Sequence, residues 1–369
     1  MTLAGVEQAS RRFPEPIAVD YLSRLERGTL MPSVPKLATL AHVYQRPLTE
    51  FVDLYELENL RELVPAQEGD FWYFRKLGID YASQGDHKRS AAAMLRGLDA
   101  ARAFGGIDAI AQALASAGIA LNQISRFNAA QRFFEEALRV VRNDRIRGYA
   151  FWGLARTHYH LDDHLLAEML CEKAAGATEE DPRLQAYVRD LQASILSDRG
   201  RYGEAAKMKK EVLDAYEKLG ESQNVTTAQY GLGENLVKAG MVDEGLAILR
   251  DSMGRAAEVG DPRLRAQSAI FYGRSLYAVG RYDDAIAPFK SAFRIARDRG
   301  MHQQAFDSAF YLWRLSDERG FHVEGDWLGE ARRFRPEVEQ RSVECREFDA
   351  WLANERRKPR AGRKLKDLM

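Results

Sequence analysis

Cysteine is nearly missing from this chain. The 369 residues hold two, Cys171 and Cys345, far apart and in no CxxC pair. That excludes a disulfide framework and a thiolate zinc knuckle, and it fits a reducing compartment. Long apolar runs are missing as well. Nothing approaches the roughly 18 residues a membrane helix needs. The first residues, MTLAGVEQASRR, lack the apolar core of a secretory signal. The expectation is a cytoplasmic protein with no membrane partner. Net charge is absent: 54 basic residues balance 54 acidic ones. Any case for nucleic acid must therefore rest on a local feature. Proline is scarce at 11, and the period-two alternation of strands is rare. What abounds is Ala, Leu, Arg and Glu, with apolar residues recurring at three and four. The fold class expected is all-α.

Between 67 and 340 the sequence repeats with a period of about forty residues. Turn markers fall at Gly85, Ser125, His160 or Leu161, Gly200, Gly240, Gly280 and Gly320. The turns resemble each other: GRYGEAAKM at 200–208, GMVDEGLAI at 240–248 and GRYDDAIAPF at 280–289. Each places a Gly at a helix end and acidic residues at the next helix start, which suits both dipoles. Seven residues before the turn stand Gly78, Gly118, Gly153, Ala193, Gly233 and Gly273. Five after it stand Ala130, Ala205, Gly245, Ala285 and Gly325, and nine after it Met94, Phe134, Leu249 and Phe289. Small side chains at both places let two antiparallel helices approach closely.

This small–turn–small–large order resembles the tetratricopeptide repeat (TPR). The unit is longer than the usual one, so each helix is expected to gain about a turn and a half. The resemblance implies an α-solenoid of about seven helix pairs with weaker capping units at the ends. It also implies a concave face, lined by the first helix of each pair, that binds an extended peptide or protein segment. Asn122, Arg156, Asn235, Arg274 and Arg314 are the candidate lining residues. Arg and Asn there can clamp the carbonyls and carboxylate of a peptide.

The first 66 residues read as four short helices. Thr2 is placed to cap a helix over 2–11, and a turn with Pro14 and Pro16 follows. A second helix spans 18–27, with Tyr21, Leu22 and Leu25 inward, and ends at Gly28. Ser33 is expected to cap a third, with Val34, Leu37, Leu40, Ala41 and Tyr44 as its apolar face. Pro47 opens a fourth through Phe51, Leu54, Leu57 and Leu60. SRLERG at 23–28 followed by MPSVPKLATLAHVY at 31–44 resembles the Cro/C1 (XRE) helix-turn-helix family. The match covers about sixty residues. It implies binding to double-stranded DNA, with the helix of Val19, Asp20, Ser23 and Arg24 in the major groove and Arg27 and Lys36 on phosphates. Arg11 and Arg12 flank the turn as further contacts, and Glu26 holds the turn together. Residues 1–46 carry six basic and four acidic side chains, so a homodimer on a two-fold site is expected. The family's first helix has no counterpart ahead of 2–11. MTLAGVEQ reads like an internal family segment, so the expectation is a start codon assigned too late; the alternatives are a genuine loss of DNA binding and a replacement of the helix from elsewhere. Without it, Val6, Tyr21, Leu37 and Leu40 are expected to lose burial.

Other chemistry finds little footing. His158, His160 and His164 cluster near Asp162, Asp163 and Cys171, but the turn between them separates the ligands, so no metal is expected. GLG at 231–233 follows no strand and is no nucleotide loop. No cofactor and no catalysis are expected. Residues 341–369 read as a capping helix with Phe348, Trp351 and Leu352, then a basic tail, RRKPRAGRKLK, at 356–366. The resulting expectation is a DNA-binding regulator whose solenoid senses a peptide. The alternative is a TPR adaptor for a protein partner, without DNA binding.

Overall fold

The structure, a computed structural model, describes all residues except 28–29, 31, 66–67, 178–179, 318, 339–341 and 358–369, and the backbone alone at 49–50, 54 and 356–357. Nineteen α-helices and one short 3-10 turn, with no strand, make up the described residues. Four short helices lead: α1 (Leu3–Ser10), α2 (Val19–Glu26), α3 (Val34–Tyr44) and α4 (Leu48–Arg61). Seven helix pairs follow. They are α5 (Phe71–Ser83) with α6 (His87–Phe104), α7 (Ile107–Gln123) with α8 (Phe127–Val140), α9 (Asp144–His160) with α10 (His164–Ala177), and α11 (Pro182–Asp198) with α12 (Tyr202–Lys218). Then come α13 (Ser222–Lys238) with α14 (Val242–Val259), α15 (Pro262–Ala278) with α16 (Tyr282–Asp298), and α17 (His302–Asp317) with α18 (Trp327–Phe334). The last helix, α19 (Val343–Arg357), seals the end of the array: Phe348 is fully buried among Phe306, Phe310 and Trp313.

The turn inside each pair contains a positive-φ residue at a matching place: Gly85, Ser125, Asp162, Gly200, Gly240, Gly280 and Gly320. The third marker is therefore Asp162, not His160 or Leu161. Asp tolerates this backbone because its short side chain bonds locally, so no glycine marks the place. The correction moves the third unit by two residues. Its small residue seven before the turn is Ala155, fully buried, rather than Gly153. A second left-handed set, Gly220, Gly260 and Gly300, ends the second helices of three pairs.

Packing explains the pattern of small and large residues. A Cβ on Gly118 would lie 2.8 Å from the ring of Phe134, and one on Gly273 would lie 2.9 Å from Phe289. A Cβ on Gly233 would meet Leu249 at 2.7 Å and the Gly245 carbonyl at 2.9 Å. The small and large positions are two halves of one contact, and Phe134, Leu249 and Phe289 are completely buried. Each such burial stabilises by about 1.5–3 kcal/mol. Gly325 departs from the pattern: it sits in the turn ahead of α18 with φ 128°, against Trp327.

The array also curls until its ends meet. Gly85, in the first pair's turn, abuts Pro262 at the start of α15. Beside it His87 Nε2 lies 3.4 Å from the buried Asp261 carboxylate. Arg346 on α19 pairs with Asp162. These contacts join residues 174 and 184 positions apart. They close the solenoid around an internal channel.

The N-terminal helices keep a small core of Val6, Ile17, Leu22, Leu40 and Val43. Val6, Leu37 and Leu40 are at most 5% exposed, and Tyr21 is half-buried, so the expected loss of burial does not occur. Ile17 fills the space, because the Pro turn is tied down. Its amide donates to Ser10 Oγ at 2.9 Å, and Thr39 Oγ1 donates to the Glu15 carbonyl at 3.1 Å. Thr2 caps α1 as expected. Ser33 occupies the N-cap of α3 but makes no capping bond. Val34 and Tyr44 are exposed, and Thr39 and Val43 take their places in the buried face. Pro47 is the N-cap residue of α4 rather than its first turn. Gly28 lies outside the described residues, as does nearly all of the basic tail.

Helix α4 belongs to the array as much as to the head. Leu57 joins the core of the first pairs. Asp53 pairs with Arg132, Glu56 with Arg126 and Asp99 with Arg61.

Candidate ligand channel

The first helices of the pairs line a cavity of about 870 Å³, within the range of ligand sites. Counting back six residues from each turn gives one lining position per unit: Ile79, Ile119, Arg156, Ser194, Glu234, Arg274 and Arg314. All but Arg314 face the cavity. Arg314 lines a smaller neighbouring cleft, where it donates to Glu347 at 2.7 Å. The other four expected lining residues, Asn122, Arg156, Asn235 and Arg274, reach the main channel.

Their surroundings differ. Asn122 is buried and tied between repeats: Nδ2 donates to the Gly153 carbonyl at 3.2 Å, and Oδ1 accepts from Thr157 at 3.1 Å. Asn235 Nδ2 donates to the Gly231 carbonyl at 2.8 Å, and its buried Oδ1 has no hydrogen-bond partner among the described residues. Arg274 is enclosed by carboxylates, 3.2 Å from Glu234 and 3.6 Å from Glu344. Tyr311 also donates to Glu344 at 2.9 Å. Burial pushes Glu344 up, but the Arg274 charge and these hydrogen bonds hold it below its ordinary value. Half-buried Asp307, within reach of the Glu344 charge, moves the other way: desolvation and that neighbouring charge raise it to about 8. The α17–α19 end of the channel is thus a network of paired charges in which one carboxyl is shifted toward its protonated form.

The middle is different. Lys209 is spent on Asp190 at 2.7 Å and on Ser194 at 3.0 Å. Arg156 has no ion pair among the described residues; its guanidinium lies 5.9 Å over the Trp152 ring. Burial and the nearby charge of Arg263 lower its pKa to about 10. His160, one turn on, stacks on Phe127 at 4.6 Å, and its buried Nδ1 has no partner. Burial, then Arg156 and Arg263, hold it down to about 3, so the ring is neutral. The other two histidines look elsewhere: His158 toward Asp163, His164 toward Asp162 and Asp198.

Sequence reasoning missed Arg263, Asp307 and Glu344. A signal existed for Arg263. DPRL occurs at 181–184 and again at 261–264. Aligned on the turns, these segments place Arg183 and Arg263 at the same repeat position.

At the N-terminus, the expected groove residues form one outward face. Val19, Asp20, Arg24 and Arg27 are exposed and Ser23 is half-buried. Lys36 is half-buried, its ammonium 4.2 Å over the Tyr21 ring.

Residues 224–298 match the tetratricopeptide repeat family model. Solved structures similar in fold include a Rap protein complexed with competence and sporulation factor. That likeness covers 96% of this chain and 98% of that one, at 14% identity and TM-score 0.57. The fold is a tetratricopeptide solenoid. Aspartyl phosphate phosphatase F from Bacillus subtilis is also similar, at 13% identity over 93% of this chain and 94% of that one, TM-score 0.51. So is the Rap conjugation gene regulator of plasmid pLS20 in complex with the Phr* peptide, at 15% identity over 79% of this chain and 97% of that one, TM-score 0.50. No curated protein matches the chain. At these identities the likeness establishes the fold. No described helix is long and apolar enough to cross a membrane.

Proposed function

We propose that this protein is a cytoplasmic receptor for a peptide or an extended protein segment, which binds inside the closed solenoid. The observation that carries this reading is the channel itself, lined along its length by the same repeat position of six successive first helices. An extended chain matches such a periodic wall. Two of the solved structures of this fold are complexes, one with competence and sporulation factor and one with the Phr* peptide. Ile119→Trp, at a lining position, tests the reading. The variant should melt like the parent and lose the thermal stabilisation that a mixed heptapeptide pool gives the parent. Equal stabilisation of both proteins would place the ligand elsewhere and sink the reading.

A second reading adds DNA binding by a homodimer, with the ligand regulating it. It rests on the exposed face of α2, where Val19, Asp20, Arg24 and Arg27 stand together with Ser23. The pairs linking α4 to α6 and α8 would carry a change in the array to the head. Arg24 and Ser23 would contact base edges, Arg27 and Lys36 phosphates. Arg24→Ala should then cost about 1–3 kcal/mol of discrimination at one base pair. Footprinting on a random-sequence library at physiological salt decides: no preferred sequence would leave a TPR adaptor.

A further inference from the structure

The repeats provide an internal control for every charge in the channel. The second residue of a first helix is Arg145 in α9, Arg183 in α11 and Arg263 in α15. The first two each reach the N-cap residue of the next first helix, one unit on. Arg145 finds Asp181 there at 2.9 Å, and Arg183 finds Glu221 at 2.5 Å. For Arg263 the corresponding residue is Met301. It has no ion pair among the described residues; its Nε is buried without a hydrogen-bond partner, and one Nη reaches only Gln267 at 3.4 Å.

The lining position tells the same story. Arg274 pairs with Glu234, which holds the same position one unit earlier. The residue one unit before Arg156 is Ile119, and one unit after it is Ser194. The carboxylate nearest in charge, Asp190, is already held by Lys209. Two arginines have therefore lost the carboxylates their repeat-mates keep. Both line one channel, from α9 and α15, and share it with His160. Their charges act on one another and on His160, and the charges of Asp190 and Asp261 reach them without forming an ion pair. Unpaired like charges in a confined cavity are unfavourable in the empty protein and favourable only with an anion between them.

We infer that Arg156 and Arg263 form an anion-binding subsite in the middle of the channel, which takes a carboxylate of the bound peptide. Guanidinium forks suit a carboxylate in bidentate geometry. The carboxylate comes from the peptide's C-terminus or from an Asp or Glu side chain. This inference rests on the channel being the ligand site.

Two matched random heptapeptide pools, one with free C-terminal carboxylates and one amidated, are passed over the immobilised full chain and retained peptides are read by mass spectrometry. The same is done with Arg156→Gln/Arg263→Gln. The parent should hold the free-acid pool, or amidated peptides enriched in Asp and Glu, about tenfold or more better than the variant. The first result names the C-terminus as the source, the second a side chain. The variant should melt no lower than the parent, which separates lost binding from lost fold. Equal retention of both pools with no acidic enrichment, or undiminished retention by the variant, overturns the anion subsite and leaves the peptide receptor standing. Retention of neither pool by the parent overturns both.

Discussion

Two arginines of one helix show how differently this channel uses charge. Arg274 and Arg263 both lie on α15 and both face the cavity. Arg274 is held by Glu234 and Glu344, so it binds three units of the fold together. Met301 stands at the repeat position of Glu221, the partner of Arg183, so Arg263 has no carboxylate there. The same repeat geometry therefore yields a structural charge at one end of the helix and an unsatisfied one at the other. In a solenoid the second kind is conspicuous, because neighbouring units show what a satisfied arrangement looks like.

The comparison can be broken from its strong side first. Arg274→Met leaves Glu234 and Glu344 buried with less compensation and should cost about 3 kcal/mol, read as a lower urea midpoint at pH 7. A smaller effect is expected where the ring closes. Gly85 combines a φ of 74° with direct contact on Pro262. Gly85→Ala should lose about 1–2 kcal/mol and speed hydrogen exchange at both turns, 85–87 and 260–262. Unchanged exchange at 260–262 would mean that the two turns do not support each other.

The neutral His160 sharpens the account through pH. Its folded pKa, about 3, lies below its ordinary value, so the unfolded chain takes up the proton first. Stability is then full above about pH 6.5 and is lost as pH falls toward 3, by about 1 kcal/mol between pH 7 and 5.5. His160→Phe keeps the stack on Phe127 and should flatten that part of the profile. A variant as acid-sensitive as the parent would assign the loss to other groups. Arg24→Ala on the exposed face of α2 should change stability least, by under about 0.5 kcal/mol.

Much of this architecture was legible in the residues. Period, pair count, capping helix and the positions of the small and large residues follow from spacing alone; which small residue admits which large one, Gly118 with Phe134 or Gly233 with Leu249, is visible only in the packed helices. The third turn was misread because Asp162 does the work of a glycine. Burial in the N-terminal helices was underestimated, since Ile17 sits in a proline turn whose inward path depends on Ser10 and Thr39 hydrogen bonds. The site was harder. Arg156 was visible as a lining residue, and so was Arg274, but Arg314 belongs to the neighbouring cleft because α19 supplies Glu347 there. Arg263 reads as an ordinary solvated residue at a helix start. Its significance depends on Met301, 38 residues on in the next unit, and on Arg156 in the same channel.

The most direct test is equilibrium urea unfolding of Arg263→Gln beside Arg183→Gln, both without ligand. The two substitutions are identical and occupy the same repeat position. Arg183→Gln gives up its pair with Glu221 and should lose up to about 1 kcal/mol. Arg263→Gln should be as stable as the parent or more so, because it removes an unpaired charge from beside Arg156. An equal loss in both would show that Arg263 is held by the fold itself, and would contradict a channel that keeps its central arginines for an anionic ligand.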